Sequence, residues 1–182
     1  MRPRIRRSLQ AAAVLLLAGL VVLFAEGLIR NQTTVAALAG DGQHPMAPNF
    51  TLPNLSGRGR TSLSSLRGRI VVVNFWASWC GDCRNEAPLF EQIGARYGGR
   101  VAVIGVDASD FAADGRRFAR EYGITYPLVH DTGAVLNRWV GQPSFPDTFV
   151  LDRQGRVVAY FDGAIVASNL SGALQPLLRS RA

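Results

Sequence analysis

The chain has no lysine, and only two cysteines and two histidines among its 182 residues. A structural zinc site needs about four ligands, and Cys80, Cys83, His44 and His130, without a His-x-x-x-His pair, do not form a recognisable set. No metal is expected. The sequence also lacks an internal repeat, a low-complexity tract and a nucleotide-binding signature, so no cofactor is expected. All 20 basic residues are arginine, and the net charge is +7. With residues 1–30 set aside, 15 arginines face 12 acidic residues and leave +3, so the basicity belongs largely to the N-terminal stretch. No basic, aromatic-interleaved face argues for nucleic acid as a partner.

What is present begins with that stretch. Residues 1–8 carry Arg2, Arg4, Arg6 and Arg7, and residues 9–29 form an apolar run broken only by Gln10 and Glu26. At helical rise such a run spans roughly 30 Å, the thickness of a bilayer core. The arginines are expected to stay cytoplasmic and everything after the run to lie outside. Ala37-Leu38-Ala39 resembles a peptidase site but is far from the apolar core, which favours an uncleaved single-pass signal-anchor in the cell membrane. Residues 30–46 read as a tether, with Gly40, Gly42 and Pro45 among small polar residues, and residues 47–182 as one domain.

Within the domain the two cysteines stand in Trp79-Cys80-Gly81-Asp82-Cys83, directly after the apolar run Ile70 to Trp76. A buried strand opening through Cys-x-x-Cys into a helix puts the first thiol at a helix N-terminus, where unpaired N–H groups and the helix dipole favour a thiolate. Cys80 is that thiol, and Cys83, one turn on, is placed to resolve a mixed disulfide. A bridge across so short a loop would stabilise weakly as a structural element, so a redox-active pair is the favoured reading.

Further along, Val101 to Val106 reads as a second buried strand, Phe111 to Tyr122 as an amphipathic helix, Tyr126 to Val129 as an extended piece and Ala134 to Val140 as a short helix. Thr148 to Leu151 and Val157 to Phe161 read as strands joined by a turn at Arg153-Gln154-Gly155, and Ser168 to Leu178 as a closing helix. Strands that alternate with helices early and form a hairpin late specify an α/β domain: a mixed central sheet with helices on both faces.

Four separated segments then resemble one family: Ala47-Pro48-Asn49-Phe50-Thr51-Leu52, Val73 to Pro88 around the cysteines, Val103-Ile104-Gly105-Val106-Asp107, and Phe145 to Gly155. Together they resemble the membrane-anchored thioredoxin-like proteins of the TlpA, ResA and CcmG (DsbE) kind. The resemblance implies a thioredoxin-like fold behind a transmembrane or signal helix. It implies that Cys80 attacks and Cys83 resolves, that Glu86 is the acid beside the pair, and that Pro146 is a cis-proline facing the disulfide, with Pro143 a nearby rival. Trp79, Phe145 and Pro146 would then meet the substrate. Asn74 stands where ordinary thioredoxins carry a buried aspartate, which leaves Glu86 as the proton acceptor, with a pKa raised by desolvation beside the thiol. Asp82 replaces the proline common in reducing members.

The activity implied is an extracytoplasmic thiol-disulfide oxidoreductase that reduces disulfides of partner proteins and is recharged by a membrane electron donor such as a thiol transporter, with cytochrome c maturation as a setting the family offers. Three other readings stay open on the residues alone. One is an oxidase running the same pair in reverse. Another is a thiol peroxidase, against which Ala77 stands in place of the Thr or Ser three residues before a peroxidatic cysteine. The last is a binding module whose disulfide only braces a loop. His44 and His130 are assigned no role, and Trp76 is read as core, with a partner-facing rim as the alternative.

Overall fold

The computed structural model describes residues 14–23, 34–141 and 144–180. The chain divides into two units, Met1–Thr33 and Thr34–Ala182. Of the first unit, residues 14–23 are described. They are helical, and their aliphatic side chains are exposed, Leu16 at 75%. Among the described residues no helix is long and apolar enough to cross a membrane; the basic flank 1–8 and the rest of the 9–29 run lie outside them.

The second unit begins earlier than residue 47. Residues 34–46, expected as a tether, are packed onto the domain. Thr34 caps α1 (Val35–Gly40) by accepting the Ala37 N–H, and Val35 and Ala36 are buried in the same apolar cluster as Trp139 and Val157. The chain then runs beside the late hairpin. Val157 N–H donates to the Pro45 carbonyl, Ala47 N–H to the Gly155 carbonyl, and His44 Nδ1 meets the Val157 carbonyl at 3.0 Å. Backbone pairing and two small side chains anchor this segment, which is why its composition looks like that of a linker.

A short hairpin, β1 (Thr51–Pro53) with β2 (Arg60–Ser62), precedes the main sheet. That sheet has β3 (Ile70–Trp76) at its centre, with β4 (Val101–Ala108) and then β5 (Leu128–Asp131) on one side and β6 (Asp147–Leu151) and then β7 (Val157–Asp162) on the other. The β3–β4 and β4–β5 pairs are parallel, and β3–β6 and β6–β7 are antiparallel. Every residue of β3 and β4 is buried, as befits strands paired on both edges and covered on both faces. The alternation of side chains along β3 sorts the core. Val71, Val73 and Phe75 join the cluster with Leu136 and Trp139 of α4 (Ala134–Trp139), whereas Ile70 and Val72 meet Phe90 and Ile93 of α2 (Gly81–Tyr97) and Leu170 and Leu174 of α5 (Ala167–Arg179). Helices therefore cover both faces of a mixed sheet. This is a thioredoxin-like α/β fold. Pro88 lies inside α2, which runs from Gly81 to Tyr97.

Asn74 and Trp76 share the parity of Ile70 and Val72. Trp76 is core: it is buried and stacks on Phe118 of α3 (Ala112–Glu121) at 4.7 Å. Asn74, equally buried, donates to Thr148 Oγ1 at 3.1 Å across the β3–β6 pair.

Candidate active site

The end of β3 turns through Ala77-Ser78-Trp79 into α2, and Cys80 occupies the N-cap of that helix. Its Sγ accepts the Cys83 N–H at 3.1 Å, so the sulfur sits among the free amide donors of the first turn, where the helix dipole favours negative charge. Cys80 and Cys83 form a disulfide, and both residues are buried, at 5% and 4% exposure. In this oxidised form the two cysteines are distinguished by their place in the helix and not by exposure. Asp82, in the first turn, points into solvent, where its charge complements the helix dipole and the effect at Cys80 is screened.

Glu86 follows Cys83 by three residues and so lies on the same side of α2, turned toward the sheet. It is only 4% exposed. One carboxylate oxygen, Oε2, accepts the Ile165 N–H at 3.0 Å from the loop before α5, while Oε1 has no partner. Burial pushes its pKa from 4.5 up to about 7; the Ile165 N–H and the nearby Asn74 amide pull it down and the Asp82 charge adds to the rise. The Asn74 amide nitrogen, which carries two N–H groups, also donates to Thr148 Oγ1. A carboxyl near pH 7 in reach of this helix turn can take and return a proton under ordinary conditions.

On the opposite wall the Phe145–Pro146 peptide is cis and Pro146 is buried. Phe145 packs with the cluster that contains Cys80, Cys83, Trp76 and Ala87. Its ring also meets Trp79 edge-on at 5.5 Å. Trp79 is 60% exposed, yet its indole N–H donates to the Ser109 carbonyl at 3.1 Å. The structure thus gathers Phe145, Cys80 and Cys83 in one apolar cluster, with the exposed Trp79 against the Phe145 ring, Pro146 next in the chain and Glu86 one helical turn deeper. Pro143 lies outside the described residues.

Three titratable groups at this end of the sheet, Asp147, Asp107 and His130, had no role assigned from the sequence, although Asp107 and Asp147 stand within segments that carry the resemblance. Asp147, immediately after Pro146, is fully buried, accepts from Tyr160 Oη at 2.7 Å, and has its pKa raised by desolvation. Asp107, fully buried at the end of β4, meets His130 Nδ1 at 2.8 Å, its neighbour in the parallel β4–β5 register. Burial raises the Asp107 pKa to about 7 against the pull of His130, and Asp110 adds to the rise. Only the apolar strand preceding Asp107 hinted at its burial. Among the described residues no group of three or more His, Cys, Asp or Glu is arranged to hold a metal ion.

Comparison with known proteins places this geometry. A family model described as the AhpC/TSA family matches residues 44–160. The chain is 30% identical over 132 residues to the thiol-disulfide oxidoreductase ResA of Bacillus thuringiensis, an alignment covering 72% of this chain and 76% of ResA. It is 35% identical over 127 residues to the thioredoxin-like protein YneN of Bacillus subtilis, covering 68% and 74%. Among solved structures, a secreted Mycobacterium tuberculosis disulfide oxidoreductase homologous to E. coli DsbE matches with a TM-score of 0.63 at 26% identity, over 70% of this chain and 96% of that one.

Proposed function

The chain belongs to the AhpC/TSA family and is a thioredoxin-like thiol-disulfide oxidoreductase of the TlpA/ResA/CcmG type, and on that premise we propose that it reduces disulfides of partner proteins outside the cytoplasmic membrane. The observation that carries the reading is a Cys80 sulfur at the N-terminus of α2 with Glu86 buried one turn beyond Cys83. In the dithiol form the Cys80 thiolate attacks one sulfur of a partner disulfide; that S–S bond breaks, a Cys80–partner disulfide forms, and the other partner sulfur leaves as thiolate. Glu86 accepts the proton of Cys83. The Cys83 thiolate then attacks Cys80 Sγ, releasing the second partner sulfur and closing Cys80–Cys83. Two electrons pass to the partner. The backbone before Pro146 lies against the bound segment, with Trp79 and Phe145 as apolar walls.

A separate thiol donor in the membrane restores the dithiol, and apocytochromes c are a partner class in keeping with the resemblance. The run 9–29 is proposed as a single-pass anchor, supported by its length and by the exposed aliphatic helix over residues 14–23. Carbonate extraction of membranes tests it: an anchored chain stays in the pellet, and release into the supernatant refutes the anchor.

The function is tested with Cys83→Ser, which should accumulate a mixed disulfide with partners, and Cys80→Ser, which should trap none. The reduction potential sets the direction. A value near or below that of thioredoxin, about −270 mV, supports a reductant of partner disulfides; one near that of DsbA, about −120 mV, refutes it and makes the protein an oxidase.

A further inference from the structure

A side chain that leaves more than half of an indole in water ordinarily samples several rotamers, but Trp79 is held from two directions. Its ring meets the Phe145 ring in an edge-to-face arrangement, and its N–H donates to the Ser109 carbonyl. The backbone that presents it is held as well. Asp110 Oδ2 accepts the Ser78 N–H at 2.6 Å while Oδ1 accepts the Phe111 N–H at 2.7 Å, so one carboxylate ties the turn before Cys80 to the start of α3. To bring the carbonyl of one residue and the carboxylate of the next to this turn, the loop puts Ser109 at φ 54°, the only non-glycine residue with positive φ among those described. That conformation is costly for an L residue, and it recurs where function demands a fixed geometry. A cavity of about 800 Å3 opens beside the clamp, bordered by Trp79, Phe111, Arg84 and His130, with Phe111 78% exposed.

We propose that Asp110 is a positioning residue for partner binding: with the Ser109 carbonyl it locks the Ser78–Trp79 turn, so that the indole stands as a preformed wall for a polypeptide lying across the disulfide. The proposal rests on the function given above and deepens it, because the clamp serves a macromolecular disulfide and is irrelevant to a small one. A rigid exposed aromatic contributes most to binding when its ordering cost has already been met in the free protein. A small disulfide needs only the sulfur of Cys80, whereas a polypeptide must also cover Trp79. Asp110 acts through Trp79 and touches neither sulfur nor substrate.

The test uses the full chain with dithiothreitol as electron donor, insulin as the polypeptide disulfide and 5,5′-dithiobis(2-nitrobenzoic acid) as the small one. Asp110→Ala should raise KM for insulin about tenfold at similar kcat, as expected for loss of a charge-assisted hydrogen bond that orders the site. The rate with the small disulfide and the reduction potential should stay as in the wild type. Asp110→Asn, which keeps one acceptor oxygen for the Ser78 N–H, should recover most of the loss. In a nitrogen–proton correlation spectrum the Trp79 indole peak, assigned with Trp79→Phe, should shift and exchange faster with solvent in Asp110→Ala. An unchanged indole peak overturns the clamp. Equal losses with both disulfides, or a shifted potential, overturn the positioning role in favour of a charge effect on Cys80. A wild-type chain inert toward insulin refutes the proposed function, while the indole peak still decides the clamp.

Discussion

Replacing Glu86 by Gln should remove a pH dependence of stability that can be worked from its surroundings. The folded chain holds the Glu86 proton more tightly than the unfolded chain, with a pKa of about 7 against 4.5. Its contribution to stability is therefore fully present below pH 4.5 and is lost as pH rises through 7. For a side chain with 4% exposure the rise corresponds to about 3 kcal/mol. Asp107 and Asp147, both with raised pKa, act in the same direction, so the wild type should lose more than this between pH 5 and 8. Gln keeps an oxygen for the Ile165 N–H but cannot ionise. The assay is urea unfolding of the oxidised full chain at several pH values, wild type against Glu86→Gln. Relative to wild type the variant should gain about 2.5 kcal/mol on going from pH 5 to pH 8, whatever the offset between the two at pH 5. Parallel stability curves would refute the account of Glu86 as a desolvated carboxyl. The same variant should slow thiol-disulfide exchange by about a hundredfold near pH 7 if Glu86 takes the Cys83 proton.

Three other substitutions probe the frame around the site. Trp139→Ala removes a fully buried ring that packs on Phe75 at 5.5 Å and Phe149 at 5.0 Å, and should cost about 3–5 kcal/mol in chemical unfolding. In Gly115→Ala the new Cβ would stand 2.6 Å from Asp107 Oδ2, so the buried carboxylate or α3 must shift; a loss of about 1–3 kcal/mol is expected, and a neutral result would show that the approach is loose. Thr148→Val takes away the acceptor of the buried Asn74 amide and should cost about 1–3 kcal/mol, most of it recovered in the double variant with Asn74→Val.

The strand from Ile70 to Trp76, the helix after it and the place of Cys80 at their junction were legible in the residues alone, because they depend on local periodicity and on the chemistry of a helix start. So was the hairpin after Leu151, whose Arg153-Gln154-Gly155 turn is legible from three residues, with Gly155 at φ 82°. Residues 34–46 were not legible as part of the domain, because two small buried side chains and backbone pairing to 155–157 leave no compositional trace. Nor was the short strand Arg60–Ser62, which offers no apolar alternation. The environment of the cysteines was decided by tertiary structure. Glu86 is buried beneath a backbone amide 79 residues later. Asp107 meets His130 through the register of two parallel strands, and Asp110 reaches Ser78 across a loop 32 residues away. Helix and strand formation are properties of neighbours in sequence, but desolvation and the direction of a hydrogen bond are set by whichever distant segment packs alongside.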